Sequence, residues 1–361
     1  MKQIRVLIVD GVSTTRQTLQ RLLDQDRELE VVGAVASGRL ALSRLNDLCP
    51  DLVLLDVALP ELEGLQTLAA LRKTHPTLPV IMFSSLTQRG SQTTVDALLL
   101  GASDYVTRPT SNAELERCMR SELIAKIKSL ASRRQEGEAV LSRPRLAPTV
   151  APVTPNASVA RLAYPCAGHV AEIVAIATST GGPSALASLL SSLPPSFSAP
   201  IVVVQHMASG FTGTLAESLC RQTGRNVREV QTTESLNSAA VWIAPGGRHL
   251  VVKRQGAAIR VAPHDDPPEN GCCPSADVLF RSVVDAFGSR CLAVVLTGMG
   301  NDGLAGCRAI RRAGGTILVQ DEASSIAWGM PGHVATAGLA DVVLPLADLP
   351  QEICRRTTIR K

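Results

Sequence analysis

A repeated alternation of short apolar runs with amphipathic helical stretches constrains the fold of this chain more than any other feature. Five such runs occur within residues 1–125, and five more follow residue 170. Short apolar runs bounded by turn residues are typical of buried parallel strands, and helices between them connect the strands in parallel order. The sequence therefore predicts an α/β fold with two doubly wound parallel sheets.

The length and composition agree with two globular domains. A chain of 361 residues exceeds the ~250–300 residues at which single cores stop growing. Aromatic residues make up only 2% of the chain while 45% is hydrophobic, so we expect cores of valine, leucine, isoleucine and alanine. The net charge of +4 is spread along the chain. We find no basic face with interleaved aromatic residues, so nucleic-acid binding is not expected.

Two further features predict a cytoplasmic location. The apolar run at the N-terminus stops at Asp10, too early for a signal peptide, and no apolar stretch approaches the ~20 residues that span a bilayer. The nine cysteines are scattered without Cys-x-x-Cys spacing, which indicates free, mostly structural thiols in a reducing compartment. The adjacent pair Cys272 and Cys273 lacks partners at metal-ligand spacing, so we expect no metal in the second domain.

Proline density marks the boundary between the domains. Five prolines fall within residues 143–165, among Ala, Thr and Val. Proline at this density ends helices and central strands and gives a semi-rigid spacer. We therefore predict a first domain over residues 1–125, a helical extension with a proline-rich linker over 126–168, and a second domain over 169–357.

Four polar side chains stand at the carboxyl ends of the strands predicted in the first domain. They are two carboxylates, a hydroxyl and a cation: Asp10, Asp56, Ser84 and Arg108. Ligands of parallel sheets bind beyond these ends. Two acids beside a hydroxyl and a cation are typical of a Mg²⁺ and phosphoryl site. Each residue alone is equally typical of a cap or a turn, but four strand ends in agreement favour a site.

In this pattern the first domain resembles a two-component receiver domain. The resemblance implies a flavodoxin-like, five-stranded sheet and Mg²⁺-dependent phosphorylation of Asp56. It also implies a switch that pairs the Ser84 hydroxyl with the aromatic ring of Tyr105. The sequence departs from the family at two positions. Gly11 stands where the family usually has a second acid beside Asp10, and Arg108 stands where it has a lysine.

A strand, a glycine loop and a helix open the second domain at residues 173–190. Ser179 and two glycines follow the apolar run, and Pro183 begins the helical spacing. This geometry exposes one side chain at the end of a sheet and directs backbone N–H groups toward it. The loop over 177–183 therefore suits either of two functions. It can hold a flavin or nucleotide phosphate, or it can present Ser179 as a nucleophile.

Two further strand ends carry a histidine and an aspartate. His206 follows one apolar run and Asp302 follows another. A serine becomes nucleophilic when an imidazole takes its proton, and a carboxylate orients that imidazole. Each residue also has a structural interpretation, as a helix cap, a core histidine and a turn residue. The phosphate alternative lacks a Gly-x-Gly-x-x-Gly pattern and leaves His206 unexplained.

The second domain resembles the chemotaxis protein-glutamate methylesterase family, whose members join a receiver, a linker and a catalytic domain. The matching stretches are residues 177–183, 205–207, 243–246, 274–280, 297–303 and 329–331. The resemblance implies that Ser179 is the nucleophile, His206 the base and Asp302 the orienting acid. Thr180 and Met299 line the site in this interpretation, with Met299 contributing to an oxyanion hole.

The resemblance also implies an activity and partners. The activity is hydrolysis of glutamyl methyl esters and deamidation of glutamines on the cytoplasmic domains of chemoreceptors. A histidine kinase would be the phosphodonor, and association with receptor arrays would be peripheral. Catalysis would need no cofactor, and Mg²⁺ would serve only the receiver. Cys272 and Cys273 fall where the family often has a basic residue, so contacts to substrate can differ there. A binding module that keeps the fold without the chemistry is the non-enzymatic alternative.

Overall fold

The computed structural model describes residues 3–59, 63–84, 88–108, 122–131, 170–236 and 239–357. The chain forms two compact units, one built around a five-stranded sheet and one around a seven-stranded sheet. Residues 132–168 of the predicted linker lie outside the described residues. The bounds of the three predicted segments, 1–125, 126–168 and 169–357, therefore stay predictions. None of the described helices is long and apolar enough to span a membrane.

The elements before residue 132 alternate as the sequence predicts. The strands are β1 Ile4–Val9, β2 Leu29–Val35, β3 Leu52–Asp56, β4 Val80–Ser84 and β5 Asp104–Thr107. The helices are α1 Ser13–Leu23, α2 Gly38–Leu48, α3 Gly64–Thr74, α4 Gln88–Leu99 and α5 over residues 122–131. The sequence also predicts a helix over residues 113–130, and the part of it before residue 122 lies outside the described residues.

The first sheet has the order β2-β1-β3-β4-β5. Its described pairings β1 with β2, β1 with β3, and β3 with β4 are all parallel. Val9 pairs with Leu55, so Asp10 and Asp56 come next to each other as the two strands end. The parallel five-stranded sheet predicted from the alternating runs is confirmed.

The elements after residue 169 belong to the larger of the two units. Its strands are β6 Ile173–Thr178, β7 Ile201–Gln205, β8 Asn226–Glu229, β9 Glu234–Ser235, β10 Ala240–Ile243, β11 His249–Gln255, β12 Ala258–His264, β13 Cys291–Val295, β14 Thr316–Gln320 and β15 Val342–Leu344. Its helices are α6 Gly182–Ser192, α7 Thr212–Thr223, α8 Ala276–Phe287, α9 Leu304–Arg312, α10 Met330–Thr336 and α11 Leu349–Thr357.

The main sheet of this unit has the order β15-β14-β13-β6-β7-β10-β8, and its described pairings are parallel. Strand β6 lies in the middle, between β13 and β7. Ala177 pairs with Val295 on one side, and Thr178 pairs with Gln205 on the other. The sequence-distant segments that follow these three strands therefore meet at one edge of the sheet.

A small antiparallel sheet with the order β11-β12-β9 was not predicted. Strands β11 and β12 form a hairpin in which Gln255 pairs with Ala258. Gly256 in the two-residue turn has a φ of 62°, which glycine adopts without strain. A glycine between two runs that contain β-branched residues is a signal for a hairpin, and here it lies at Gly256.

The core of the larger unit is aliphatic, as the composition predicts. Valine, alanine, leucine and isoleucine make up most of its buried residues, with few aromatic side chains among them. Trp242 is fully buried in this core, and the guanidinium of Arg228 lies 4.7 Å from its ring centre. Trp328 is half-buried, and its indole N–H donates to the carbonyl of Gln320 over 3.3 Å. Small aliphatic side chains pack well between parallel strands and covering helices.

Candidate functional site

Ser179 lies in the tight loop between β6 and α6. Its backbone N–H donates to the carbonyl of Thr297 over 3.0 Å. Its carbonyl accepts from the amide of Gln205 over 2.9 Å and from the N–H of Gly182 over 2.8 Å. The residue is only half-buried, so its hydroxyl is accessible while its backbone is fixed on three sides. The predicted strand, loop and helix are confirmed.

Two glycines are required for this loop to form. Gly181 has a φ of 77°, and a Cβ there would lie 2.6 Å from the side chain of Ile326. A Cβ on Gly182 would lie 2.0 Å from Gln205 Oε1. Real Cβ atoms do not approach other atoms so closely. The glycines therefore let the loop pack against two neighbouring segments and turn directly into the helix.

His206 and Asp302 form a hydrogen-bonded pair. The Nε2 atom of His206 lies 2.8 Å from Asp302 Oδ2. The backbone N–H of His206 donates to the carbonyl of Thr178 over 3.0 Å, which fixes the histidine beside the end of β6. Since Thr178 pairs with Gln205 across the parallel ladder, Ser179 and His206 occupy neighbouring positions. The structure thus brings all three predicted residues to one edge of the sheet.

Within the part of the chain that the structure describes, Ser179 Oγ makes no hydrogen bond. The imidazole nitrogen that faces Asp302 is Nε2, so Nδ1 is the nitrogen left for a proton from the nucleophile. Hydrogen bonds of catalytic groups are often long in unliganded enzymes and tighten when substrate binds. The nucleophilic role of Ser179 therefore stays a prediction.

Asp302 is buried and held by the start of α8. Its carboxylate accepts N–H bonds from Ala276 over 2.6 Å, Asp277 over 3.1 Å and Gly303 over 3.0 Å. The hydroxyl of Ser275 donates a fourth bond over 2.8 Å. A helix N-terminus favours an anion because its first N–H groups have no partner within the helix. Asp302 is thus held as a carboxylate in one orientation.

The pKa values of the pair move apart. Burial acts to raise the pKa of Asp302, but the hydrogen bonds from His206 and the start of α8 outweigh it, and the pKa falls below its usual range. Burial acts to lower the pKa of His206, but the hydrogen bond with Asp302 and the nearby thiol of Cys272 raise it to about 9. The pair therefore stabilises an imidazolium, which is the charge that forms when a histidine accepts a proton.

The loop after β13 approaches Ser179 closely. A Cβ on Gly298 would lie 2.9 Å from Ser179 Cβ and 2.5 Å from Met330 Sδ. The next residue, Met299, is half-buried at this position. Thr180 is buried, and its carbonyl accepts from the Thr297 hydroxyl over 2.8 Å. The roles of Thr180 and Met299 as site-lining residues, with Met299 in an oxyanion hole, stay predictions.

Sequence reasoning missed three residues of this site: Gln205, Ser275 and Cys272. Gln205 and Ser275 were recognised only as parts of matching stretches, yet they hold Ser179 and Asp302 in place. Cys272 lies against His206, although the sequence separates them widely. A polar residue at a strand end or a helix start was the available signal, but its partner depends on the tertiary fold.

A second candidate site lies at the ends of β1 and β3. The guanidinium of Arg108 forms an ion pair with Asp56 over 3.0 Å and another with Asp10. Burial raises the pKa of Asp56 to about 6, although Arg108 acts to lower it. Burial also raises the pKa of Asp10, against the N–H of Val12 and the charge of Arg108. Three of the four residues predicted at this rim are therefore together, and both acids are engaged by one cation.

The donor set at this rim fits a hard divalent cation such as Mg²⁺, which needs one or two carboxylates and takes the rest of its shell from water and phosphoryl oxygens. Gly11 adds no third acid, and Arg108 competes for both carboxylates. Tyr105 is buried in β5. Ser84 ends β4, but its side chain lies outside the described residues.

Known proteins match both halves of the chain. Residues 174–353 match the CheB methylesterase family, and residues 6–120 match the response regulator receiver domain. A protein-glutamate methylesterase/protein-glutamine glutaminase of Trichodesmium erythraeum (strain IMS101) is 46% identical over 359 residues, 99% of each chain. One of Nocardioides sp. (strain ATCC BAA-499 / JS614) is also 46% identical, over 99% of this chain and 96% of that protein.

A solved structure agrees with these matches. The CheB methylesterase catalytic domain of Thermotoga maritima superposes with a TM-score of 0.50 at 37% identity, covering 51% of this chain and 98% of that domain. The match spans the second domain, where the Ser179 loop and the His206–Asp302 pair lie. With full-length relatives at this identity, the chain belongs to the CheB methylesterase family and carries a response regulator receiver domain ahead of its methylesterase domain.

Proposed function

We propose that this protein is a hydrolase that removes the methyl group from glutamyl methyl esters, and the amide group from glutamines, on the cytoplasmic domains of chemoreceptors. The observation that carries the proposal is the 2.8 Å hydrogen bond between His206 and the buried carboxylate of Asp302, next to the accessible Ser179. Family membership supports the substrate, since the full-length relatives carry the name protein-glutamate methylesterase/protein-glutamine glutaminase.

The proposed reaction proceeds through an acyl-enzyme. Ser179 Oγ attacks the side-chain carbonyl carbon of the glutamyl ester, and His206 takes the hydroxyl proton through Nδ1. Asp302 stabilises the imidazolium that results. His206 then gives this proton to the leaving methoxide oxygen, which departs as methanol.

Water completes the cycle. It attacks the acyl carbon while His206 accepts one of its protons, and the proton returns to Ser179 Oγ as the glutamate is released. A glutamine follows the same route, with ammonia as the leaving group. The chain of steps needs no metal or cofactor in the second domain. Backbone N–H groups near Thr180 and Met299 are the proposed donors to the oxyanion.

The phosphate-binding alternative is not favoured. It would use the glycine loop over residues 177–183 to hold a flavin or nucleotide. That interpretation does not explain the hydrogen bond between His206 and Asp302, or the backbone N–H groups that donate to the Asp302 carboxylate. A binding module without chemistry leaves the same features unexplained.

We propose that phosphorylation of Asp56 regulates the esterase, with a histidine kinase as phosphodonor. Asp10 and Asp56 would hold Mg²⁺, which supplies charge neutralisation for a phosphoryl group when bound. Ser84 and Tyr105 are the proposed switch residues. Before phosphorylation Arg108 neutralises the two acids, so it has to release Asp56 when the phosphoryl group arrives.

The proposed location follows from the proposed substrate. Chemoreceptor cytoplasmic domains face the cytoplasm, so we propose a cytoplasmic enzyme that associates peripherally with receptor arrays and does not bind nucleic acid.

Methanol release from methylated receptor fragments tests the activity. The wild type should release methanol, and the rate should rise several-fold with acetyl phosphate and Mg²⁺. Ser179→Ala should abolish release. Ser184→Ala is the matched control, because the Ser184 hydroxyl only donates to the carbonyl of Gly181 at the start of α6. Equal release by wild type and Ser179→Ala would refute the proposed nucleophile.

A further inference from the structure

Among the described residues of the second domain, one cluster of side chains could ligate a metal ion. A ring nitrogen of His206, Sγ of Cys272 and a carboxylate oxygen of Asp302 all lie within 4.8 Å of one another. We propose that this cluster binds a thiophilic divalent cation of the Zn²⁺ class, and that the bound cation blocks the esterase. The proposal goes beyond the hydrolase function and departs from the sequence-based expectation that the second domain holds no metal.

The three ligand types suit zinc. Zn²⁺ is bound by thiolate sulfur, imidazole nitrogen and carboxylate oxygen at about 2.0–2.3 Å in a tetrahedral arrangement. Ligand atoms in such a site lie about 3.3–3.8 Å from one another. The nitrogen and oxygen here are 2.8 Å apart, and the sulfur lies within 4.8 Å of both. If the three ligand atoms moved by about 1 Å or less, they would occupy three corners of the tetrahedral arrangement around the cation.

Three different structural elements position the three ligand residues. Asp302 is fixed by the start of α8, and His206 is fixed at the end of β7. Cys272 closes a short turn in which its N–H donates to the carbonyl of Glu269 over 2.9 Å, and its own carbonyl accepts from the Glu269 N–H over 3.1 Å. Arg281 on α8 donates to the Glu269 carboxylate over 2.8 Å. The thiol is thus presented by an anchored turn.

Among the described residues the cluster offers three ligands, so water would fill the fourth corner. A site with three protein ligands and an open position is typical of accessible zinc sites rather than closed structural ones. His206 and Cys272 are half-buried rather than fully buried, so a cation can reach the cluster from solvent. Metal binding requires the deprotonated thiol and a free imidazole lone pair, and the displaced protons pass to the buffer.

Occupation of this site is incompatible with the proposed reaction. The cation would replace the proton on His206 Nε2 that now forms the hydrogen bond to the Asp302 oxygen. His206 could then neither accept the Ser179 proton nor form an oriented imidazolium. Mg²⁺ prefers oxygen ligands and would not compete for a site with sulfur and nitrogen donors. Activation by Mg²⁺ at the receiver and inhibition by Zn²⁺ therefore use separate ligand sets.

Cobalt binding to the full-length protein tests the site without any assay of activity. Co²⁺ replaces Zn²⁺ in such sites, and its bond to a thiolate gives a charge-transfer absorption that oxygen ligands do not give. The titration is done with Mg²⁺ in excess, so that the carboxylates of the receiver are saturated. The wild type should bind one Co²⁺ with this absorption, and Zn²⁺ should displace it.

Neighbouring cysteines supply the matched variants. Cys272→Ser and Cys272→Ala should both lose the absorption, while Cys273→Ser should keep it. The Zn²⁺ concentration that halves methanol release should rise at least ten-fold in Cys272→Ser, relative to its own metal-free rate, and a chelator should restore the wild-type rate. Absence of the cobalt–thiolate absorption in the wild type would overturn the proposal, whatever the esterase assay gives. Equal loss of absorption in Cys273→Ser, or unchanged Zn²⁺ inhibition in Cys272→Ser, would overturn it as well.

Discussion

Gln205 holds the carbonyl of Ser179 through its side-chain amide, over a distance of 2.9 Å. The same amide nitrogen donates to the carbonyl of His206 over 3.2 Å. One buried side chain thereby fixes the backbone of the proposed nucleophile relative to that of the proposed base. Gln205 Oε1 is buried and has no hydrogen-bond partner among the described residues. The hydrogen bonds of this side chain therefore come from its amide nitrogen alone.

Gln205→Met tests this positioning role. Methionine has a similar shape but cannot donate, so two buried carbonyls lose a partner, at about 1–3 kcal/mol of unfolding free energy. We expect kcat to fall about 10- to 100-fold, with a smaller change in KM, because a displaced nucleophile affects the chemical step. Gln222→Met on the exposed face of α7 is the control and should leave both constants unchanged. A Gln205→Met enzyme with wild-type kcat would contradict the assignment.

Gly181→Ala tests the close packing of the serine loop. Alanine at a φ of 77° costs about 1 kcal/mol, and its Cβ would also lie 2.6 Å from Ile326. Gly256→Ala is the control, since Gly256 has a φ of 62° but its Cβ would meet no described atom within 4 Å. Thermal unfolding should show a loss in both variants. Only Gly181→Ala should lower kcat, by about 100-fold, because only there does the loop have to move.

The pH dependence of the esterase should follow His206. The reaction needs the neutral imidazole. Burial acts to lower the pKa of His206, but the hydrogen bond with Asp302 and the nearby Cys272 thiol raise it to about 9. We therefore expect kcat/KM, measured with a chelator present, to increase with pH up to about 9. Cys272→Ala should move this midpoint to lower pH, because the interaction between the thiol and the imidazole is lost. An unchanged midpoint in that variant would show that Cys272 does not interact with the base.

The contribution of His206 to the free energy of unfolding should decrease with pH, whereas the esterase activity should increase with pH. A histidine whose pKa is raised in the folded state stabilises that state fully below its unfolded value of about 6.5. This contribution disappears as the pH rises through about 9. Chemical denaturation of the wild type and of His206→Gln across this range should show a difference in unfolding free energy that shrinks with pH. A constant difference would mean that His206 has an ordinary pKa.

Arg108→Lys tests the competition between a cation of the chain and Mg²⁺ at the receiver. Arginine engages both Asp10 and Asp56, whereas a compact ammonium cannot bridge them in the same planar geometry. We expect the Mg²⁺ concentration needed for half-maximal phosphorylation by acetyl phosphate to fall several-fold in Arg108→Lys. Arg21→Lys, at an exposed position of α1, should behave as the wild type. An equal or higher Mg²⁺ requirement in Arg108→Lys would contradict this account.

Much of the fold could be predicted because its strands are buried on both faces. Runs such as residues 6–9 and 201–204 are apolar throughout, and the polar residue that follows each marks the edge of the sheet. His206 and Asp302 could therefore be assigned to one edge from sequence alone, and the structure places them in contact. The hairpin of β11 and β12 was missed because its pairing is antiparallel and its signal is local.

The remainder of the site depends on tertiary contacts that no spacing reveals. Ser275 lies 27 positions from Asp302, whose carboxylate it contacts. Cys272 meets His206 only because the turn at Glu269 folds back on α8. The orientation of the imidazole, with Nε2 rather than Nδ1 toward the acid, is likewise fixed by where the strands end. Side-chain partners of this kind are properties of the packed fold.

The positions of the two tryptophans allow the unfolding of one domain to be followed by intrinsic fluorescence. Both tryptophans of the chain, Trp242 and Trp328, belong to the methylesterase domain, and Trp242 is fully buried beneath the guanidinium of Arg228. Tryptophan fluorescence therefore changes when the methylesterase domain unfolds, and unfolding of the receiver domain does not change it directly. Compared with circular dichroism, which reads the helices of both halves, it separates the melting of one domain from that of the other in a single unlabelled sample.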